Sequence, residues 1–201
     1  MIGLPKSTET NKQLPKKAIY SKFNLKSSPK EKIDSDISRI TIVNEVTPSK
    51  LNISEGKVVN SFYVLNVIMK RKDYNESSII ILTKIIPQNL ILILNYKDEN
   101  KLVINYSKLI QTGWLKKDNF KLELIGFDFD TIWDNIVIQV GNILLEKDNS
   151  LKEQIAINEQ KDKLNKIINL LEKKARKEKQ PLKKFEIFQE LNKLKKEMEI
   201  L

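Results

Sequence analysis

Residues 90–106 read LILILNY (90–96), KDENK (97–101) and LVINY (102–106). The uninterrupted apolar run Leu90 to Leu94 is too short for a helix of its own and has the signature of a strand buried on both faces. The charged turn Lys97-Asp98-Glu99-Asn100 then leads into Leu102 to Tyr106, where Leu102, Ile104 and Tyr106 alternate as a hairpin partner should. This pair makes a β-sheet the centre of the body, and the flanking segments are read from it outwards.

Upstream, Asp73 to Ile86 predicts a helix. Its residues Ile79, Ile80, Leu82, Ile85 and Ile86 recur at three- and four-residue steps, and Pro87 ends it. Val58 to Met69 reads as a strand entered from a turn over Asn52 to Gly56. Ile37 to Val46 is a β-branched strand that stops at Thr47-Pro48. Residues 1–35 are polar, broken by Pro5, Pro15 and Pro29, with one short helix expected over Lys16 to Phe23. Downstream, Gly113 to Leu115 and Phe120 to Ile125 continue the strands. Asp128 to Leu145 then predicts a helix that lays Ile132, Trp133, Ile136, Val137, Val140 and Leu144 on the sheet. The expected class is α+β: a mixed, largely antiparallel sheet with covering helices on one face.

A second rhythm begins after Lys147 to Asn149. Ser150 and Glu153 form a capping box. Leu164, Ile168, Leu171 and Ala175 then step by coiled-coil intervals, and after Pro181 so do Ile187, Leu191, Leu194, Met198 and Leu201. At 1.5 Å per residue these helices run roughly 40 and 30 Å. Proline removes an intrahelical bond and disfavours helix at Gln180, so a reversal into a helical hairpin is expected. The organisation read from the chain is a polar leader (1–35), an α+β body (36–149) and a hairpin tail (150–201).

Composition excludes several chemistries. Among 201 residues there is no cysteine and no histidine, so disulfides, thiolate or imidazole metal sites and a Ser-His-Asp triad are ruled out. Net charge is +10, which suits a polyanionic partner. Of the 36 basic residues 33 are lysine, leaving Arg39, Arg71 and Arg176, and lysine lacks the planar fork that reads bases. No apolar run approaches the roughly 20 residues of a membrane helix, and Met1 to Lys6 carries no apolar signal core, so cytoplasmic residence without membrane contact is expected. No phosphate-binding glycine motif appears, and no cofactor or resident metal is expected.

Three groups of residues invite a chemical reading. Lys173, Lys174, Arg176, Lys177 and Lys179 cluster at the end of the first tail helix. There they complement the helix dipole or grip a phosphate backbone. Glu55-Gly56-Lys57, with Asp34 or Asp36 upstream, resembles the Glu-x-Lys core of a metal-dependent nuclease, against the plainer reading of a charged turn around a glycine. Asp128, Asp130 and Asp134 are explained most simply by capping of the helix that follows.

Taken in order, the leader LPKSTETNKQLPKKAIY, the segments LNISEGKVV, IIPQNLILILNYKDENKLVINY, TGWL and GFDFDTIWDN, and the tail stretches LEKKARKEK and ELNKLKKEME resemble the bacterial domain-of-unknown-function 4391 family. TGWL departs from a TEW-like form, with Gly113 in place of an acid. The resemblance implies no reaction. It implies company with helicases and DNA methyltransferases in restriction-type or phage-defence loci, and an ordered or binding role for Lys6, Thr8, Asn11 and Lys16 of the leader. The expected function is a non-enzymatic accessory subunit that docks such a partner and contacts nucleic acid. Its alternatives are a divergent nuclease using Glu55 and Lys57, or an oligomerisation module pairing copies through residues 164–201.

Overall fold

The computed structural model describes residues 2–117 and 121–200. They divide into two compact units, Met1–Leu144 and Leu145–Leu201.

In the first unit a seven-stranded sheet is built from β1 (Glu9–Leu14), β2 (Ile37–Val46), β3 (Phe62–Met69), β4 (Asn89–Tyr96), β5 (Glu99–Asn105) and β6 (Leu109–Gln111) in that spatial order, with the short β7 (Leu115–Lys116) pairing β5. Only β3 and β4 are parallel, and helix α4 (Glu76–Ile85) joins them; the other pairings are antiparallel. The apolar run at residues 90–94 lies in β4, between β3 and β5, with its five side chains buried. Lys97 takes the left-handed conformation, φ 53°, that a tight turn into β5 requires.

Both faces of the sheet carry helices, where one covered face was expected. Leu65, Val67, Leu92, Leu94 and Val103 pack with Ile19 of α1 (Lys16–Lys22), Ile33 of α2 (Ser27–Asp36), and Ile79 and Leu82 of α4. On the opposite face, Phe62 meets Phe129 and Trp133 of α5 (Phe129–Gly141), with ring centroids 6.1 and 5.5 Å apart. The reason lies in alternation. Val64, Ile91 and Ile104 are paired across three strands and fully buried, so the central strands are apolar at both odd and even positions and need cover on both sides.

The stretch read as a leader contains β1, α1 and α2. β1 is polar because it is an edge strand with only one paired neighbour, where charged side chains discourage further pairing. α2 contains Pro29, but in its first turn, where the missing N–H costs no hydrogen bond. The short helix α3 (Pro48–Leu51) follows β2, and β3 begins at Phe62 rather than Val58, since the amides of Val58 and Val59 bond Asp130. Residues 121–125 are not a strand. Leu122 N donates to Ile2 O at 2.8 Å, and Gln139 of α5 exchanges two hydrogen bonds with the Glu123 backbone at 2.8 and 2.9 Å. Phe120 lies outside the described residues, as does Leu201 of the tail pattern.

In the second unit α6 (Leu151–Lys177) starts at the Ser150–Glu153 capping box, and α7 (Pro181–Ile200) returns against it. Ile168, Ala175, Ile187 and Leu191 are buried between the two, flanked by Leu171, Leu194 and Met198. Lys195 donates to Glu172 across them at 2.8 Å. The predicted reversal at Pro181 is therefore a helical hairpin. Buried Gln154 ties the preceding turn to α6 by accepting from Glu146 N (3.0 Å) and Asn149 Nδ2 (3.1 Å).

Candidate functional site

Glu55 and Lys57 lie exposed in a loop, not on a strand. The next three amides turn inwards on the carboxylate of Asp130 in the first turn of α5. Lys57 N donates at 2.7 Å, Val58 N at 3.1 and 3.3 Å, and Val59 N at 2.7 Å. Phe129 N bonds Ser54 O at 3.2 Å beside them. Burial acts to raise the Asp130 pKa, but the amides of Val59, Lys57 and Val58 outweigh it and hold the carboxyl below its usual range. Gly56 is required by this closeness: a Cβ there would overlap the Asp130 carboxylate and lie 2.6 Å from Val59 O. Asp128 caps α5, accepting from Thr131 N at 2.8 Å. Asp134, pushed upwards by burial and by its acidic neighbours, accepts from Tyr106 OH at 3.3 Å.

The upstream acids are committed elsewhere. Asp34 is paired with Lys16 and accepts from Tyr20 OH at 3.0 Å, while Lys16 also reaches Ile37 O at 2.9 Å. Asp36 is fully buried. It receives Arg71 Nε at 2.6 Å, Ser78 Oγ at 2.5 Å and Asn75 N at 3.1 Å. Desolvation pushes its pKa up, yet the bonds from Ser78, Arg71 and Asn75 win and keep it low. Among the described residues no group of three or more acids is placed to hold a metal ion. Asp36 is held by three donors and Asp34 by an ion pair and a tyrosine hydroxyl, an arrangement suited to fixing the α2–β2 junction.

Of the leader residues, Thr8 is buried and Lys6 and Asn11 are exposed. Thr8 Oγ1 donates to Pro5 O at 2.7 Å and accepts from Asn44 Nδ2 at 2.9 Å, which pins the start of β1 to β2. Lys16 serves the Asp34 pair. At Gly113, where the family-like segment loses its acid, an added Cβ would meet nothing within 4 Å. In the tail, Lys173, Lys174, Arg176, Lys177 and Lys179 are all exposed at the turn end of α6. Lys183 and Lys184 continue that surface on α7, beside exposed Leu182, Phe185 and Phe188.

Among the cavities of the first unit, two with contrasting linings were not anticipated. One, of about 420 Å³, has an apolar floor of Leu14, Ile42, Leu65 and Leu90. At its rim Glu45 is held by Lys50 at 2.8 Å and Tyr63 OH at 3.3 Å; the Lys50 bond keeps this glutamate ionised. The other, of about 340 Å³, is lined by Asn44, Asn66, Asn95 and Asn100 on the sheet face that α5 leaves open. A signal for it was present in the sequence. Asparagine is depleted in strands, yet the apolar strands β2, β3 and β4 carry Asn44, Asn66 and Asn95 within them.

The fold is that of a mixed α+β protein in which Asp34, Asp36 and Asp130 bond groups of their own chain, followed by a basic helical hairpin. The chain belongs to the family described as Domain of unknown function (DUF4391), whose model matches residues 2–198. No curated protein and no solved structure matches it. Among the described residues no helix is long and apolar enough to cross a membrane.

Proposed function

We propose that the chain is a non-enzymatic accessory subunit of a bacterial DNA-processing or phage-defence system, with an α+β body that docks a helicase or methyltransferase and a hairpin that contacts nucleic acid. The observation that carries the nucleic-acid half is the surface around the hairpin turn, where Lys173, Lys174, Arg176, Lys177 and Lys179 stand exposed next to Lys183, Lys184 and Phe185. Cations that follow a backbone beside exposed aromatic rings form a sequence-tolerant grip, since phosphates supply the affinity and any base can stack. The non-enzymatic half is supported by Asp34, Asp36 and Asp130, each of which is bonded to groups of its own chain. Cytoplasmic residence belongs to the same reading.

The test is fluorescence anisotropy of the full chain with labelled single- and double-stranded DNA across a salt series. Affinity should fall steeply with salt, and K173E/K174E/R176E/K177E should flatten the slope by up to about 4 phosphate equivalents. Binding unchanged in that variant removes the hairpin assignment. Nuclease activity with Mg²⁺ that survives purification and is lost on Glu55→Gln would overturn the non-enzymatic reading.

A further inference from the structure

We propose that the asparagine-lined cavity binds a purine base, free or as its nucleoside, against the open half of the sheet. The register explains how the cavity arises. On this face, Val64, Ile91 and Ile104 align under α5. Further along the same strands Asn66 pairs with Ile93, and Asn95 pairs with both Ile68 and Asn100. Beyond the reach of α5 the apolar face thus becomes an amide surface, with Ile68 exposed at its margin. Asn44 joins it from β2 at a β-bulge. The N-terminal residues Ile2 and Leu4 are buried and form an apolar wall.

The polar groups are not all spent within the protein. Asn95 Nδ2 donates to Asn66 Oδ1, with a second contact to Ile93 O at 3.3 Å, and Asn44 Nδ2 is taken by Thr8. Asn100 Oδ1, however, is buried with no hydrogen-bond partner. Orphaned acceptors of this kind are rare in folded proteins. The torsion that turns an asparagine amide is broad and roughly two-fold. A ligand offering an N–H donor therefore relieves the mismatch by letting the Asn100 amide turn outwards.

The chemistry of the lining selects the ligand class. Glu9 is its only charged side chain, so phosphate or carboxylate groups find no cation there and meet a repulsive neighbour. What remains is an uncharged group with donors and acceptors at its edge and apolar faces to lie between Ile2, Leu4, Val43 and Ile93. A purine has that form, and a carboxamide pairs with adenine through two simultaneous hydrogen bonds. This site is independent of the hairpin and of the proposed accessory role.

The test is titration of the full ¹⁵N-labelled chain with adenosine, guanosine, ribose and inorganic phosphate, following side-chain amide signals. Adenosine or guanosine should shift the signals of Asn66, Asn95 and Asn100 saturably, while ribose and phosphate leave them in place. Asn100→Leu should weaken binding at least tenfold, and Asn95→Asp, which preserves size, should weaken it with the far-UV spectrum unchanged. Shifts by ribose equal to those by adenosine, binding that survives both substitutions, or no saturable shift with either nucleoside at millimolar concentration would overturn the proposal.

Discussion

The guanidinium of Arg71 converges on one oxygen of the fully buried Asp36 carboxylate, Nε at 2.6 Å and its terminal nitrogen at 2.5 Å. It links the end of α2 to the segment after β3. Removing Arg71 leaves a buried charge with only Ser78 and Asn75 as partners. Arg71→Leu should cost about 3 kcal/mol of stability, measured by urea unfolding at neutral pH. Arg71→Lys should fall between the two.

The same pair sets an acid dependence. The folded pKa of Asp36 lies below its ordinary value, so the unfolded chain binds that proton more readily. The stability it contributes is complete above the unfolded-state pKa and is lost as pH falls through the folded one. The difference between wild type and Arg71→Leu should therefore shrink as unfolding is repeated from neutral pH down to about pH 3. A difference that stays constant would show that Arg71 acts through packing alone.

Gly56→Ala should destabilise the first unit by about 1–3 kcal/mol, because the new methyl displaces the Asp130 carboxylate from its three amides. Asp130→Ala removes the acceptor without a clash. Hydrogen exchange should then accelerate at the amides of Lys57, Val58 and Val59, with the core of β4 unaffected.

Thr8→Val keeps the shape but deprives buried Asn44 Nδ2 of its acceptor, at a cost of about 1–3 kcal/mol. Thr8→Ser keeps the hydroxyl and should lie close to wild type. Thermal unfolding of both variants distinguishes a hydrogen-bonding role for Thr8 from a packing role.

Leu191 is 3% exposed between α6 and α7, and Leu191→Ala should cost the hairpin about 2 kcal/mol or more. Ser150→Ala removes the cap at the start of α6 and should cost about 1 kcal/mol. Both should lower the helical signal in circular dichroism and leave tertiary signals from Trp114 and Trp133 in place.

Much of the fold was legible because its signals are local. The β-branched run over Ile37 to Val46, the apolar run of β4, the Asp128 and Ser150 caps and the steps of Ile187, Leu191 and Leu194 each report a conformation from neighbouring residues alone. The misread parts take their structure from distant partners. β1 has no alternating apolar residues and is a strand because β2 offers it a ladder. Val58 and Val59 have strand-like side chains, but Asp130, more than 70 positions away, claims their amides.

For function the division runs the same way. Sequence alone determined the absence of thiol and imidazole chemistry, the lysine-dominated charge, the helical hairpin and the family pattern. Those depend on which residues exist and on spacing along one element. Only the tertiary structure decided that Asp34, Asp36 and Asp130 bind their own chain, and that asparagines from four strands meet on one open half of a sheet face. Such convergence depends on strand register and on where α5 stops covering the sheet, and both are set by packing between residues far apart in the chain.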